Sequence, residues 1–302
     1  MLKAFVQKAI SFLHYKHKIN YLFQKYVTKG VQLSEYYFED RLEHLRQHSS
    51  FYSKYKGKLN DIKMLELGTG WYPVIPLGFF LSGAQQIYTV DITPLMDKQK
   101  VEITLERYLE YIRNGQLDSF EFKKKRIETL QSILEQIGQL TFHDLLEKLN
   151  IRYLVEDATQ LSVPSNNFDL ITSNNTFEHV EAAVLRGILT EFVRVLKPDG
   201  LMSHFIDMSD HFAHLDQSIS IYNFLQFSEK QWKWIDNRIQ PQNRWRINHF
   251  RKLYQSLNIP ITEELNRPGD LVALASIRLG KEFNSIPKEE LAISHSYLIS
   301  SY

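Results

Sequence analysis

The chain has 302 residues, 43% of them hydrophobic and 24% charged, which is globular composition with enough apolar material for a sizeable core. Its formal net charge of +1 gives no global pull toward nucleic acid, and no nucleic-acid partner is expected. There is no cysteine, which excludes disulfides, zinc–thiolate sites, iron–sulfur clusters and a cysteine nucleophile.

Residues 1–30 carry six lysines (Lys3, Lys8, Lys16, Lys18, Lys25 and Lys29) and no acidic residue. Leu2, Phe5, Val6, Ala9, Ile10 and Leu13 recur at helical spacing, so the segment reads as an amphipathic capping helix. The alternative is a helix making peripheral contact with an anionic membrane surface, or lidding an active site. Lys8, His14 and Lys16 interrupt the apolar run, so neither a signal peptide nor a spanning helix is expected, and cytoplasmic residence is the default. Residues 1–60 are expected as an N-terminal helical cap and residues 61–302 as the main domain.

Residues 62–67 read as a short buried strand, ended by Gly68-Thr69-Gly70, with a helix over 73–81 whose prolines sit in its first turn. A second strand covers 86–90 and closes on Asp91. Residues 97–113 are helical by period. Residues 116–150 are helical and charge-rich, including Lys123-Lys124-Lys125-Arg126, so 97–150 is expected as a helical insertion with that basic run solvated. A third strand covers 151–155 and a fourth 168–173, followed by a helix over 177–196. Residues 197–200 read as a turn and 201–206 as a fifth strand. Asn248 is placed to cap a helix ending near Leu257, and residues 259–264 and 271–279 read as two further strands. Strands alternating with helices predict an α/β fold with a doubly wound, mostly parallel sheet.

In such sheets ligands bind beyond the carboxyl ends of the strands, which selects Gly68–Gly70, Asp91, Asp157, Asn174–His179 and Asp207–His211. Gly68 and Gly70 allow close approach of backbone to a ligand. A dinucleotide fingerprint needs a third small residue where Pro73 stands, so the nicotinamide reading is disfavoured. Asp91 follows Gly70 at the spacing of a carboxylate that accepts from ribose hydroxyls; the alternative is a helix cap. Asp157 reads equally as an adenine contact or as a turn-forming residue.

The set Leu-Glu-Leu-Gly-Thr-Gly at 65–70, Val-Asp at 90–91, Glu-Asp-Ala at 156–158, Phe-Asp-Leu-Ile-Thr-Ser-Asn at 168–174, Phe-Glu-His-Val at 177–180 and Arg-Val-Leu-Lys-Pro-Asp-Gly at 194–200 resembles the class I S-adenosylmethionine-dependent methyltransferases over residues 63–279. The resemblance implies a seven-stranded Rossmann-like methyltransferase sheet whose last strand is antiparallel, and S-adenosylmethionine as cofactor. It implies cofactor contacts from Glu66, Gly68, Thr69, Gly70, Asp91, Ile92, Asp157, Ala158 and Asn174. Tyr72 stands where many members have a third glycine. The insertion at 97–150 lies outside the common core.

Transfer to an oxygen acceptor also needs a base. His179 is one such residue, or else it orders the helix start; Glu178 reads as a cap or a brace for the cofactor pocket. Asp207, Asp210, His211, His214 and Asp216 follow the fifth strand; His211 and Asp207 are the further catalytic candidates. These groups match no closed metal-ligand set, and no metal is expected. Asn243, Arg244 and Arg246, among Trp232, Trp234 and Trp245, suit a glycan or anionic small-molecule acceptor. The alternative is a helix packed by its tryptophans, with Arg246 bonding carbonyls. The function expected is methyl transfer to an oxygen or nitrogen atom; the competing reading is a cofactor-binding partner subunit that has lost catalysis.

Overall fold

A computed structural model of the chain describes residues 32–213, 216, 218–236 and 241–302. The expected N-terminal helix and His214 lie outside the described residues. In chain order the principal elements are α1 (Glu35–Lys56), β1 (Lys63–Leu67), α2 (Val74–Ser82), β2 (Gln86–Asp91), α3 (Lys98–Arg113), α4 (Lys124–Glu135), α5 (Phe142–Lys148), β3 (Ile151–Val155), β4 (Phe168–Asn174), α6 (Ala182–Val195), β5 (Leu196–Asp207), α7 (Glu229–Ile235), α8 (Ile247–Ser256), β6 (Glu263–Arg267), α9 (Leu271–Ala275), α10 (Lys288–Ala292) and β7 (His295–Ser301). Among the described residues no helix is long and apolar enough to cross a membrane.

The strands form one seven-stranded, mostly parallel sheet in the order β3–β2–β1–β4–β5–β7–β6. β1 pairs in parallel with β2 on one side, Leu67 opposite Val90, and with β4 on the other, Leu67 opposite Ser173. The order therefore reverses at β1, where a doubly wound sheet opens its binding crevice. Between β2 and β3 the chain forms the helices α3, α4 and α5. The basic run at 123–126 opens α4, and its Arg126 guanidinium lies 4.4 Å over the Phe80 ring and donates to the Ala84 carbonyl, so one of its four charges docks on α2.

The described residues fall into two compact units. One comprises Leu33–Asn174, Gly187–His204 and Ile299–Tyr302; the other comprises Asn175–Arg186 and Phe205–Leu298. In the first, Asp169 at the start of β4 accepts from the Lys63 N–H at 2.8 Å and from the Lys197 ammonium at 2.6 Å, tying β1 and β5 to β4. In the second, Tyr222, Phe224, Leu225, Trp232, Leu274 and Leu291 form a buried apolar cluster of their own.

Four local expectations are corrected. Residues 197–200 are not a turn but lie inside β5; the Gly200 carbonyl accepts from the Tyr302 N–H at 3.2 Å, at the chain's end. The helix expected over 177–196 is broken into a 3-10 turn, Phe177–His179, and α6, because the Asn243 side-chain amide takes the Phe177 and Val180 carbonyls that a continuous helix would use. The cap of α8 is Arg246, whose N–H donates to His249 Nδ1 at 3.1 Å, not Asn248. The last two strands are Glu263–Arg267 and His295–Ser301. Residues 271–275 are helical, since Asp270 Oδ1 accepts both the Val272 and Ala273 N–H groups at 2.9 Å and starts a turn.

Candidate functional site

In the first unit the loop after β1 is held open by backbone conformation. Gly68 and Gly70 have φ of 78° and 70°, the left-handed region that side chains disfavour. The Gly68 N–H donates to the Val90 carbonyl at 2.9 Å, and the Gly70 N–H donates to Asp91 Oδ2, also at 2.9 Å. The two candidate ligand groups at the ends of adjacent parallel strands are thus in direct contact. Burial raises the Asp91 carboxyl pKa, against the bonds from the Gly70 and Ile92 backbone. Ile92 beside it is 73% exposed, an unusual state for so large an apolar side chain at a strand end. A carboxylate next to an exposed isoleucine fits a ligand that pairs a diol with a flat apolar ring.

Glu66 lies beneath this loop and is buried. Burial pushes its carboxyl up to about 7, with the Thr69 side chain and the Arg41 charge pulling the other way. No hydrogen bond reaches Glu66 Oε2 among the described residues. A cationic donor entering the loop would supply what that buried oxygen lacks. Arg41 belongs to α1, an element that no motif marks as part of the site. The same helix places His48 against β4: His48 Nε2 bonds Asn174 Oδ1 at 2.9 Å, and His48 Nδ1 bonds Ser203 Oγ at 2.7 Å. Burial pulls the His48 imidazole down to about 3, so it is neutral and braces Asn174 at the end of β4. At the edge strand, Ala158 is buried while Asp157 is exposed and uses one oxygen to accept the Thr159 N–H at 2.9 Å. Asp157 is therefore a turn-forming residue at least.

In the second unit a polar cluster forms after β5. Asp207 Oδ2 accepts from His211 Nε2 at 3.2 Å, and its Oδ1 lies 3.3 Å from His295 Nε2. Burial works to raise the Asp207 carboxyl, but the His211 bond and the neighbouring imidazoles more than offset it and hold it well below the usual carboxylate range. The His179 and His211 rings meet edge to face with centroids 4.9 Å apart. His179 Nδ1 lies 2.7 Å from the Pro241 carbonyl, which only accepts, so Nδ1 carries the proton and Nε2 the lone pair. Burial pulls His179 down to about 4, so it is neutral at physiological pH. His179, His211 and Asp207 are thus brought together. Asp210 and Asp216 are not: Asp210 accepts from the Phe212 N–H and the Asn223 amide, and Asp216 from Ser218.

The three proposed acceptor ligands divide. Arg246 is fully buried and donates to the Met208, Leu291 and Ile293 carbonyls, the Leu291 bond at 2.8 Å. It is a structural arginine, and the acceptor role does not fit it. Asn243 clamps the 177–180 turn, with its N–H to the Glu178 carbonyl at 2.7 Å and its amide to the Phe177 and Val180 carbonyls. Arg244 donates to the Phe224 and Phe227 carbonyls and pairs with Glu229 at 3.0 Å and Glu282 at 3.2 Å. Both line a cleft of about 590 Å3, together with His179, Trp232, Trp245 and Phe283. Trp232 packs as a core residue with its indole N–H on the Gln242 carbonyl at 2.9 Å, whereas Trp234 is exposed.

Residues 133–203, which run from the insertion through β3, β4 and α6 into β5, match a family model described as a methyltransferase domain. Within the matched segment, Glu191 accepts the Leu161 N–H at 2.8 Å, while Arg194 bonds Glu191 and the Leu161 and Val163 carbonyls. Those motif residues hold the loop between β3 and β4 and touch none of the proposed ligand groups. No curated protein matches the chain. Solved structures similar to it include a protein from Pyrococcus horikoshii, 16% identical over 89% of this chain and 92% of that one, with a TM-score of 0.47. Another is a Burkholderia thailandensis 1,6-didemethyltoxoflavin-N1-methyltransferase holding S-adenosylhomocysteine, 10% identical over 85% and 77% of the two chains, TM-score 0.44. A third is an N-methyltransferase from Haemonchus contortus in complex with phosphomonomethylethanolamine and S-adenosylhomocysteine, 12% identical over 85% and 52%, TM-score 0.47.

Proposed function

We propose that this chain is a methyltransferase that binds S-adenosylmethionine on the rim formed by β1, β2, β3 and β4, and transfers its methyl group to an oxygen or nitrogen atom of a small-molecule or glycan acceptor. The observation that carries the cofactor reading is the 2.9 Å bond from Gly70 to Asp91, made by a loop with two left-handed glycines. Asp91 offers its second oxygen to ribose hydroxyls, Ile92 an apolar face to adenine, and Glu66 its buried Oε2 to the ammonium of the methionine part. Thr69 and Asn174 line the same loop and strand end. Ala158 gives room for the adenine edge and Asp157 an acceptor for its amino group.

S-adenosylmethionine supplies an electrophilic methyl on a sulfonium, so the protein's contribution is largely alignment and proton removal. His179, neutral and with its lone pair on Nε2, takes the proton from an acceptor hydroxyl or ammonium. Asp207 orients His211, which is a second base of the same kind. Asn243 fixes the turn that carries His179. Calorimetry with S-adenosylmethionine on the full chain tests the cofactor reading: saturable 1:1 binding is expected, and no heat at saturating ligand refutes it. Tritiated cofactor with cell extract, followed by mass spectrometry of labelled product, tests transfer; binding without product favours the partner-subunit reading.

A further inference from the structure

One ligand atom each from Glu178, His179 and His211 lies within 4.8 Å of the other two, inside a single compact unit. The geometry points to a binding site for one divalent transition-metal ion on these three side chains. The inference rests on the coordination chemistry and not on the methyl-transfer reading; since His179 has one lone pair, on Nε2, a bound ion and the general-base role are alternative uses of this cluster.

Two imidazoles and one carboxylate form a donor set of borderline softness. It suits zinc, iron(II), cobalt(II) or nickel(II) and suits magnesium or calcium poorly, since those want oxygen ligands throughout. Three protein ligands also leave a position for water or a small molecule. Side-chain atoms about 2.1 Å from such an ion lie roughly 3.4 Å apart, so the cluster must close by about 1.4 Å at most, within the reach of side-chain torsions.

The surroundings are those of a ligand set held in place. A coordinating histidine characteristically donates its other ring N–H to a carboxylate or a backbone carbonyl, which fixes its tautomer and aims its lone pair. Both histidines do this here. His179 Nδ1–H points at the Pro241 carbonyl at 2.7 Å, and His211 Nε2–H at Asp207 Oδ2 at 3.2 Å. The selected tautomers carry their lone pairs on His179 Nε2 and His211 Nδ1. Glu178 and His179 are adjacent in a 3-10 turn that Asn243 pins, and their ligand atoms converge on His211 through the side chains. His179 also borders the 590 Å3 cleft, which gives an incoming ligand a path.

The test uses tag-free, full-length protein stripped with chelator, titrated with Zn2+ by calorimetry and with Co2+ by visible absorption, without S-adenosylmethionine. The expected result is one ion per chain, with a Co2+ spectrum of low-symmetry, nitrogen-containing coordination. His211→Ala and Glu178→Gln should each weaken binding at least tenfold. Asp207→Asn, which keeps all three ligands, should weaken it about tenfold through the loss of His211 orientation. His143→Ala, an exposed histidine outside the cluster, should change nothing. Thermal melts establish that each variant is folded. Absence of stoichiometric binding, or affinity unchanged in both His211→Ala and Asp207→Asn, overturns the site.

Discussion

Gly70 donates its backbone N–H to the side chain of Asp91, a residue 21 positions later on the neighbouring parallel strand, at 2.9 Å. One hydrogen bond thus joins the tightest turn of the β1 loop to the acid that closes β2. It makes the loop and the acid one structural element at the ends of β1 and β2.

Removing that acid therefore does two things: it deletes the proposed ribose acceptor and frees the Gly70 N–H. Asp91→Ala should weaken S-adenosylmethionine by more than tenfold, or about 1.4 kcal/mol, with a smaller change in melting temperature. Titration calorimetry reads the first and a thermal melt the second. Unchanged affinity removes Asp91 from the cofactor site.

Glu66 should leave a signature in the pH dependence of stability. Its folded pKa, about 7, lies above the unfolded value of 4.5, so the folded state holds the proton more tightly. Its contribution is complete below about 4.5 and is lost as pH rises through 7. The span is on the order of 3 kcal/mol. Glu66→Gln, neutral at every pH, should therefore gain stability relative to wild type as pH goes from 5 to 8, while losing affinity for S-adenosylmethionine. Parallel melting curves across that range settle the point; identical slopes would mean Glu66 is not desolvated.

The buried histidines act with the opposite sign. Burial holds both His48 and His204 near 3, against an ordinary 6.5. Their contribution is complete above 6.5 and drains away as pH falls toward 3, because only the unfolded chain takes up the protons. His48→Gln should flatten the acid limb of the stability curve below pH 6.5, at the cost of a lower maximum. A limb as steep as wild type would contradict the buried, neutral assignment.

His179→Ala should reduce turnover by 10²–10⁴-fold, the usual worth of a positioned base, and leave S-adenosylmethionine affinity unchanged. Steady-state rates and calorimetry on the same preparation separate the two. An acceptor that arrives already deprotonated would leave turnover intact and exclude the base.

Arg246→Met should cost stability and not specificity. The substitution strands three buried carbonyls that now share one guanidinium. A loss of about 3 kcal/mol or more is expected, read as a fall in urea midpoint with unchanged m-value. By contrast, Arg244→Met opens the wall of the cleft, and its effect should appear in acceptor KM.

Local pattern was sufficient for the contact between the β1 loop and the acid closing β2, and insufficient for the cluster after β5. Strand, left-handed glycine loop and terminal acid are written within 30 residues, and parallel pairing then brings Gly70 to Asp91 with no further information. The helices between β2 and β3 and the first four strands are legible for the same reason: each is a short apolar run or a helical period. What only the tertiary structure decided depends on partners far apart in the chain. The Asn243 amide holds a turn 63 residues earlier, and Glu178, His179 and His211 come together beside it. Arg246 is spent on carbonyls 38 and 47 residues away. The seventh strand is His295–Ser301 because Asp270 turns the apolar stretch after it into helix. Hydrophobic period and turn residues act over a few positions, whereas a buried polar side chain takes whichever donor or acceptor the closed chain delivers, and no spacing rule encodes that choice.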